Sequence, residues 1–125
     1  MKTYSKTNRK SAFTLVEIMI VVAIIGLLAA IAIPNFVRAR STTQANACIN
    51  NLQQIDNAAQ EYAIENNKAS GATASASANL TPYIKLNANN KIPGCPGSGT
   101  YNDTVSVGTS PTCTLSTSTP SHAMQ

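Results

Sequence analysis

The sequence predicts an α+β protein: a long N-terminal helix, its first half transmembrane, and a small C-terminal head containing a short antiparallel β-meander. Three observations predict this. Residues 13–34 hold an apolar run whose only charge is Glu17. Residues 35–66 continue with apolar side chains at helical spacing. Residues 67–115 then turn to Ala, Ser, Asn, Gly and Pro, with two short stretches rich in β-branched residues.

The first twelve residues read as a basic leader. Lys2, Lys6, Arg9 and Lys10 fall there, so most of the formal net charge of +4 belongs to that segment. From Phe13 onward five basic residues balance five acidic ones. The body is neutral, and no basic patch interleaved with aromatics points to direct nucleic-acid binding.

Phe13 to Ile33 is 21 residues. As a helix it spans ~31 Å, close to the ~30 Å of a bilayer core. The leader on its N-terminal side places that end in the cytoplasm. Three readings compete. A secretory signal peptide could be cut after Ala30-Ile31-Ala32, but its apolar core would be unusually long and Glu17 would have no purpose. A plain anchor could hold Glu17 near the cytoplasmic interface. The third reading is a segment that is processed and then packed against copies of itself.

The stretch SAFTLVEIMIVVAIIGLLAAIAIPNFVRAR resembles the N-terminal segment of type IV pilins and type II secretion pseudopilins. The features shared are the short basic leader, Phe-Thr-Leu-Val-Glu, the aliphatic run and Ala-Ile-Pro-Asn-Phe. The resemblance implies that a prepilin peptidase cuts between Ala12 and Phe13 and N-methylates Phe13. The family usually has Gly before the cut, so Ala12 is a departure. The resemblance also implies an inner-membrane, single-pass subunit with a periplasmic or extracellular head. Its partners would be the membrane, copies of itself, other pilin-like subunits and an inner-membrane assembly platform.

An intramembrane carboxylate is costly and is a functional candidate by default. Cleavage would create an amine at Phe13 that Glu17 can meet, within one helix or across a subunit contact. The resemblance favours the second, with the Phe13–Glu17 pair setting the axial register of a filament. Pro34 cannot donate to the Ala30 carbonyl and is expected to kink the helix there. The resemblance implies melting between Gly26 and Pro34 in an assembled filament; a bent but continuous helix is the alternative in the isolated subunit.

After Pro34, Ala45, Ile49, Leu52, Ile55, Ala59 and Tyr62 fall on one helix face. The helix is expected to end near Asn66, giving a rod of ~80 Å from Phe13. Cys48 beside this stripe reads as a small core residue.

In the head, a turn or short helix is expected around Leu80 to Leu86, with strands at Thr104–Val107 and Thr112–Leu115. Residues 116–125 read as a disordered tail. So small a head needs the helix stripe to complete its core. Three cysteines allow at most one internal pair. Outside the cytoplasm a Cys95–Cys113 bridge would close a loop of about 19 residues, contributing ~3 kcal/mol. His122 with the three cysteines matches no zinc spacing, so no metal or other cofactor is expected. The family's major pseudopilins often bind calcium through head carboxylates, yet beyond Glu65 this chain has only Asp103. No catalytic constellation appears, so the chain reads as an enzyme's substrate and not as an enzyme.

The expected function is therefore that of a structural subunit in a type IV pilus-like filament. A short, plain head suits a type II secretion pseudopilin acting as a periplasmic piston. A small type IV pilin or a competence pseudopilin is the alternative within the family. A monomeric membrane-anchored periplasmic protein is the alternative of another class.

Overall fold

The computed structural model describes residues 13–124. The leader, with Ala12, lies outside the described residues. The chain divides into two units, one up to Val37 and one from Arg38 onward. Their elements in order are helix α1 (Leu15–Glu65) and strands β1 (Thr73–Ser75) and β2 (Thr104–Ser106).

In the first unit α1 is apolar all round. Its large side chains range from 52% exposed at Val21 to 73% at Leu15, so among the described residues none of them is covered. A helix hydrophobic on every side needs a lipid or protein surround. By length and composition α1 is long and apolar enough to cross a membrane. Pro34 lies inside α1, and the helical assignment runs through it. The missing N–H of Pro34 costs one intrahelical bond without ending the helix.

In the second unit α1 is amphipathic. Ala45, Cys48, Leu52, Ile55, Ala59 and Ala63 are buried along one stripe. Ile49 and Tyr62, expected on that stripe, are only half-buried. The helix closes with a left-handed residue, Asn67 at φ 50°. Lys68 N–H donates to the Ala63 carbonyl at 2.8 Å and Asn67 N–H to the Ile64 carbonyl at 3.4 Å. These are the two bonds of a Schellman stop, and Asn tolerates the left-handed position that other side chains resist.

The sheet has two antiparallel strands, with Thr73 opposite Ser106, Ala74 opposite Val105 and Ser75 opposite Thr104. Ala74 and Val105 point inward and join Ile55, Ala58, Leu80 and Ile84 in the main core. The expected strand at Thr104–Val107 is present, but its partner is Thr73–Ser75. The stretch at Thr112–Leu115 makes only an isolated bridge, Cys113 to Tyr101. Among the described residues the antiparallel sheet thus consists of the two strands β1 and β2. Gly108, at φ 83°, follows β2; just before it, Gly71 N–H donates to the Val107 carbonyl and Val107 N–H to the Ala72 carbonyl, both at 2.9 Å.

Residues 116–124 are not a free tail. Ser118 N–H and His122 N–H both donate to the Leu115 carbonyl, at 3.1 and 3.3 Å. His122 is only 5% exposed. Short Ser and Thr side chains supply the local bonds that hold this turn, with Ser118 Oγ donating to the Leu115 carbonyl and Ser121 Oγ to that of Ser116.

Because the head's core is completed by one face of α1, cavities there should be costly. Ile55→Ala is expected to lower unfolding stability by about 2–5 kcal/mol. Ile64→Ala, at a position 80% exposed, should stay within about 0.5 kcal/mol of the parent. Urea unfolding of the detergent-purified chain, followed by tyrosine signals, measures both.

Candidate functional site

Two places in the chain carry chemistry. The first is the start of α1. Thr14 N–H donates to Glu17 Oε2 at 2.7 Å, and Thr14 Oγ1–H donates to the same oxygen at 2.8 Å. Glu17 N–H donates back to Thr14 Oγ1 at 3.2 Å. This is a capping box: an N-cap Thr and a Glu three residues on satisfy each other's backbone donors. The order Thr-Leu-Val-Glu is its sequence signature, a signal that reading Glu17 only as an intramembrane charge leaves unused. Phe13, immediately before the cap, stands exposed. Glu17 therefore sits one turn from the position that would become the N-terminus after cleavage at Ala12. The structure places Phe13 and Glu17 at the same helix end, and Pro34 farther along the same apolar helix.

The second place is in the head. Cys48, Cys95, Cys113 and His122 bring four potential ligand atoms within 4.8 Å of one another, and all four residues are buried. Each comes from a different segment: α1, the loop after Pro93, the bridge to Tyr101, and the C-terminal turn. Sequence spacing gives no warning of this convergence, because the fold alone assembles it. All three cysteines are free thiols. The Cys95–Cys113 bridge is thus not formed, although Cys113 lies in the same cluster as Cys95.

The polar surroundings of these sulfurs differ. Burial, the largest influence, pushes the Cys48 thiol up to about 12, against an opposing hydrogen bond from the Tyr101 hydroxyl. Burial also pushes Cys95 upward, but bonds from Cys48, from the Gly97 and Gly99 amides and from His122 outweigh it and bring Cys95 down to about 7. Asn51 Nδ2 donates to the Tyr101 hydroxyl at 3.2 Å and to the Gly94 carbonyl at 3.2 Å, fixing both groups to α1.

Asp103, the head's lone acid beyond Glu65, is occupied by local bonds. Its Oδ2 accepts from Ser75 Oγ at 3.0 Å and its Oδ1 from Ser77 N–H at 3.1 Å. No second carboxylate of the head stands beside it, because Asp103 is the only acid after Glu65.

Comparison with known proteins addresses the N-terminal segment. Residues 7–33 match the prokaryotic N-terminal methylation motif. The type IV major pilin protein PilA of Myxococcus xanthus is 44% identical over 62 residues, covering 50% of this chain and 28% of that protein. The N-terminal part of the chain is thus similar to that of a type IV pilin. Type II secretion system core protein G of Aeromonas hydrophila is 32% identical over 61 residues, 49% of this chain and 43% of that protein. A fimbrial protein of Pseudomonas aeruginosa is 43% identical over 56 residues, 45% of this chain and 36% of that protein. The chain spans less than half the length of these curated relatives. No solved structure gives a significant match.

The bonds to Asp103 hold its carboxyl below the ordinary aspartate value, Ser77 contributing most and Ser75 adding to it. A depressed carboxyl stabilises the fold above its unfolded value, and that contribution disappears as pH falls through the folded one. The head should therefore loosen in strongly acidic solution, and Asp103→Ala should remove that acid limb while lowering stability at neutral pH. Thermal unfolding of both proteins across an acid pH series checks it.

Proposed function

We propose that this chain is a structural subunit of a type IV pilus-like filament belonging to a type II secretion system. The observation that carries the reading is the uncovered apolar helix from Phe13 to Val37 with a capped acid at its very start. A surface of that kind is stable in a bilayer before assembly and between neighbouring helices after it. Copies joined head-to-tail by a screw relation make a heterologous contact that does not close, which is the geometry of a filament.

In this reading a prepilin peptidase cuts between Ala12 and Phe13 and methylates the new amine. The chain stays anchored in the inner membrane with its head outside the cytoplasm until the assembly platform extracts it. Glu17 of one subunit meets the Phe13 amine of the next, and the charge pair fixes axial register. Pro34, with its missing hydrogen bond, is where the helix yields to the packing of neighbours. The protein acts as a building block, not as an enzyme.

The choice of type II secretion rests on the head. With two three-residue strands and a core completed by α1, it offers a plain surface suited to a short periplasmic piston. A small type IV pilin is the second reading, favoured by the higher identity to the major pilin of Myxococcus xanthus and the fimbrial protein of Pseudomonas aeruginosa.

Intact mass and N-terminal sequencing of protein from native membranes should find a chain beginning at N-methylated Phe13. A chain beginning at Ile33 would indicate a signal peptide and overturn the filament reading. Glu17→Ala should still be processed and inserted yet yield no high-mass complexes on native gels. Unchanged complex size for that variant would instead indicate a monomeric anchored protein. Deletion of the gene should abolish export of a secretin-dependent enzyme while sparing surface pili; the reverse result assigns the chain to a pilus.

A further inference from the structure

We infer that Cys48, Cys95, Cys113 and His122 form a structural zinc site that ties the head to α1. Nothing in the filament reading requires this site, and it stands or falls separately from that reading.

The first argument is geometric. Four donors at tetrahedral zinc, with Zn–S near 2.3 Å and Zn–N near 2.0 Å, lie about 3.5–3.8 Å from one another. Here all donor atoms fall within 4.8 Å, and Cys95 Sγ is 3.3 Å from His122 Nδ1. A contraction of an ångström or less brings them to zinc. Three thiolates and one imidazole are a closed ligand set of the structural type, with no open position for a substrate.

The second argument is the loop that carries Cys95. It reads Cys95-Pro96-Gly97-Ser98-Gly99. Ser98 N–H donates to the Cys95 carbonyl at 3.1 Å, and Ser98 has φ 68°. The turn aims the Gly97 and Gly99 amides at the Cys95 sulfur. Amide donors on a ligand sulfur are the supporting shell that a metal thiolate needs. Both glycines are also required by the cluster itself. A Cβ at Gly97 would lie 2.7 Å from His122 Cε1, and one at Gly99 would lie 2.7 Å from Cys113 Sγ. The loop is thus built to lie directly on two of the four ligands.

The third argument concerns what else could use these groups. One disulfide would employ two sulfurs and leave the remaining thiol and a buried imidazole without a task. Zinc employs all four. The Tyr101 hydroxyl on Cys48, held by Asn51, then completes the support from the helix side. The site also gives the C-terminal turn a reason to fold back onto the head, since His122 is its contribution.

The test uses the full chain, purified in detergent from native membranes without reductant. Elemental analysis should find one zinc per chain, and alkylation after denaturation with a chelator should label three thiols. Metal-free protein with a single alkylated thiol means that a disulfide has formed and overturns the proposal. If the protein is metal-free but all three thiols label, Co2+ alone is added. Tetrahedral cobalt bands in the visible with thiolate charge transfer in the near ultraviolet support the site, and their absence overturns it. His122→Ala should weaken Co2+ binding by at least tenfold and shift the visible bands while retaining the thiolate charge transfer. Gly99→Ala, which keeps every ligand, should also weaken binding. Unaltered affinity in both variants would place any bound metal elsewhere.

Discussion

One helix must satisfy two unlike surroundings, and the rest of the structure depends on that constraint. Up to Val37 its large apolar side chains point to every side, and among the described residues none of them is covered. From Arg38 onward the same helix offers one stripe of mainly small residues to the head. Ala45, Cys48, Ala58, Ala59 and Ala63 let loops approach the helix closely, while Leu52 and Ile55 fill the space between them. With two strands of three residues each, the head has too little core to fold without that stripe. The helix is therefore both the part that would pack with other subunits in the proposed filament and the floor of the head.

The head compensates for its small core by tying distant segments to α1 with polar groups. Asn51 reaches Tyr101 and the Gly94 carbonyl. Tyr83 donates to Glu65 at the far end of the helix and meets Tyr62 edge-on at 6.2 Å. Tyr101 packs against both the main core and the cysteine cluster, so it links the two. Asp103, just before β2, holds the end of β1 through Ser75 and the segment after it through Ser77. Each tie is local, but together they reach most of the head's loops.

The parts of this design legible in the sequence are those carried by short-range pattern. The apolar run, the leader and the helical stripe follow from hydropathy and spacing, and the helix stops one residue from the expected Asn66. The strand at Thr104 was legible from its β-branched residues, but its partner was not: Thr73-Ala74-Ser75 has no β-type pattern and pairs because Ala74 fits opposite Val105 over the core. The C-terminal turn is not legible in the sequence, because its Ser and Thr residues have the composition of a tail and only the fold brings the Ser118 and Ser121 hydroxyls onto backbone carbonyls. Cys48, Cys95, Cys113 and His122 can be named as a set from the sequence, but the spacing argues against a site and does not reveal their convergence. The members of the set lie far apart in the chain and share no motif, so only the packing of four segments on one another brings them together.

The capping box alters the energetic argument for Glu17. From the sequence, the acid is a charge stranded in an apolar run, and its need for a partner would itself drive assembly. In the structure Oε2 already accepts two hydrogen bonds from Thr14, and the carboxylate satisfies a backbone donor that every helix start leaves open. Part of its burial cost is met within the chain, and an acid at a helix N-terminus also lies at the favourable end of the dipole. In the proposed filament the apolar surface would then supply most of the association energy, with Glu17 acting chiefly on geometry. The Thr14 bonds hold the carboxylate in one orientation before a neighbour arrives, so a neighbouring amine meets a placed acceptor and not a mobile one. A pre-oriented charge selects one axial register among the many that a smooth aliphatic helix would permit, which is the specificity such a surface lacks by itself.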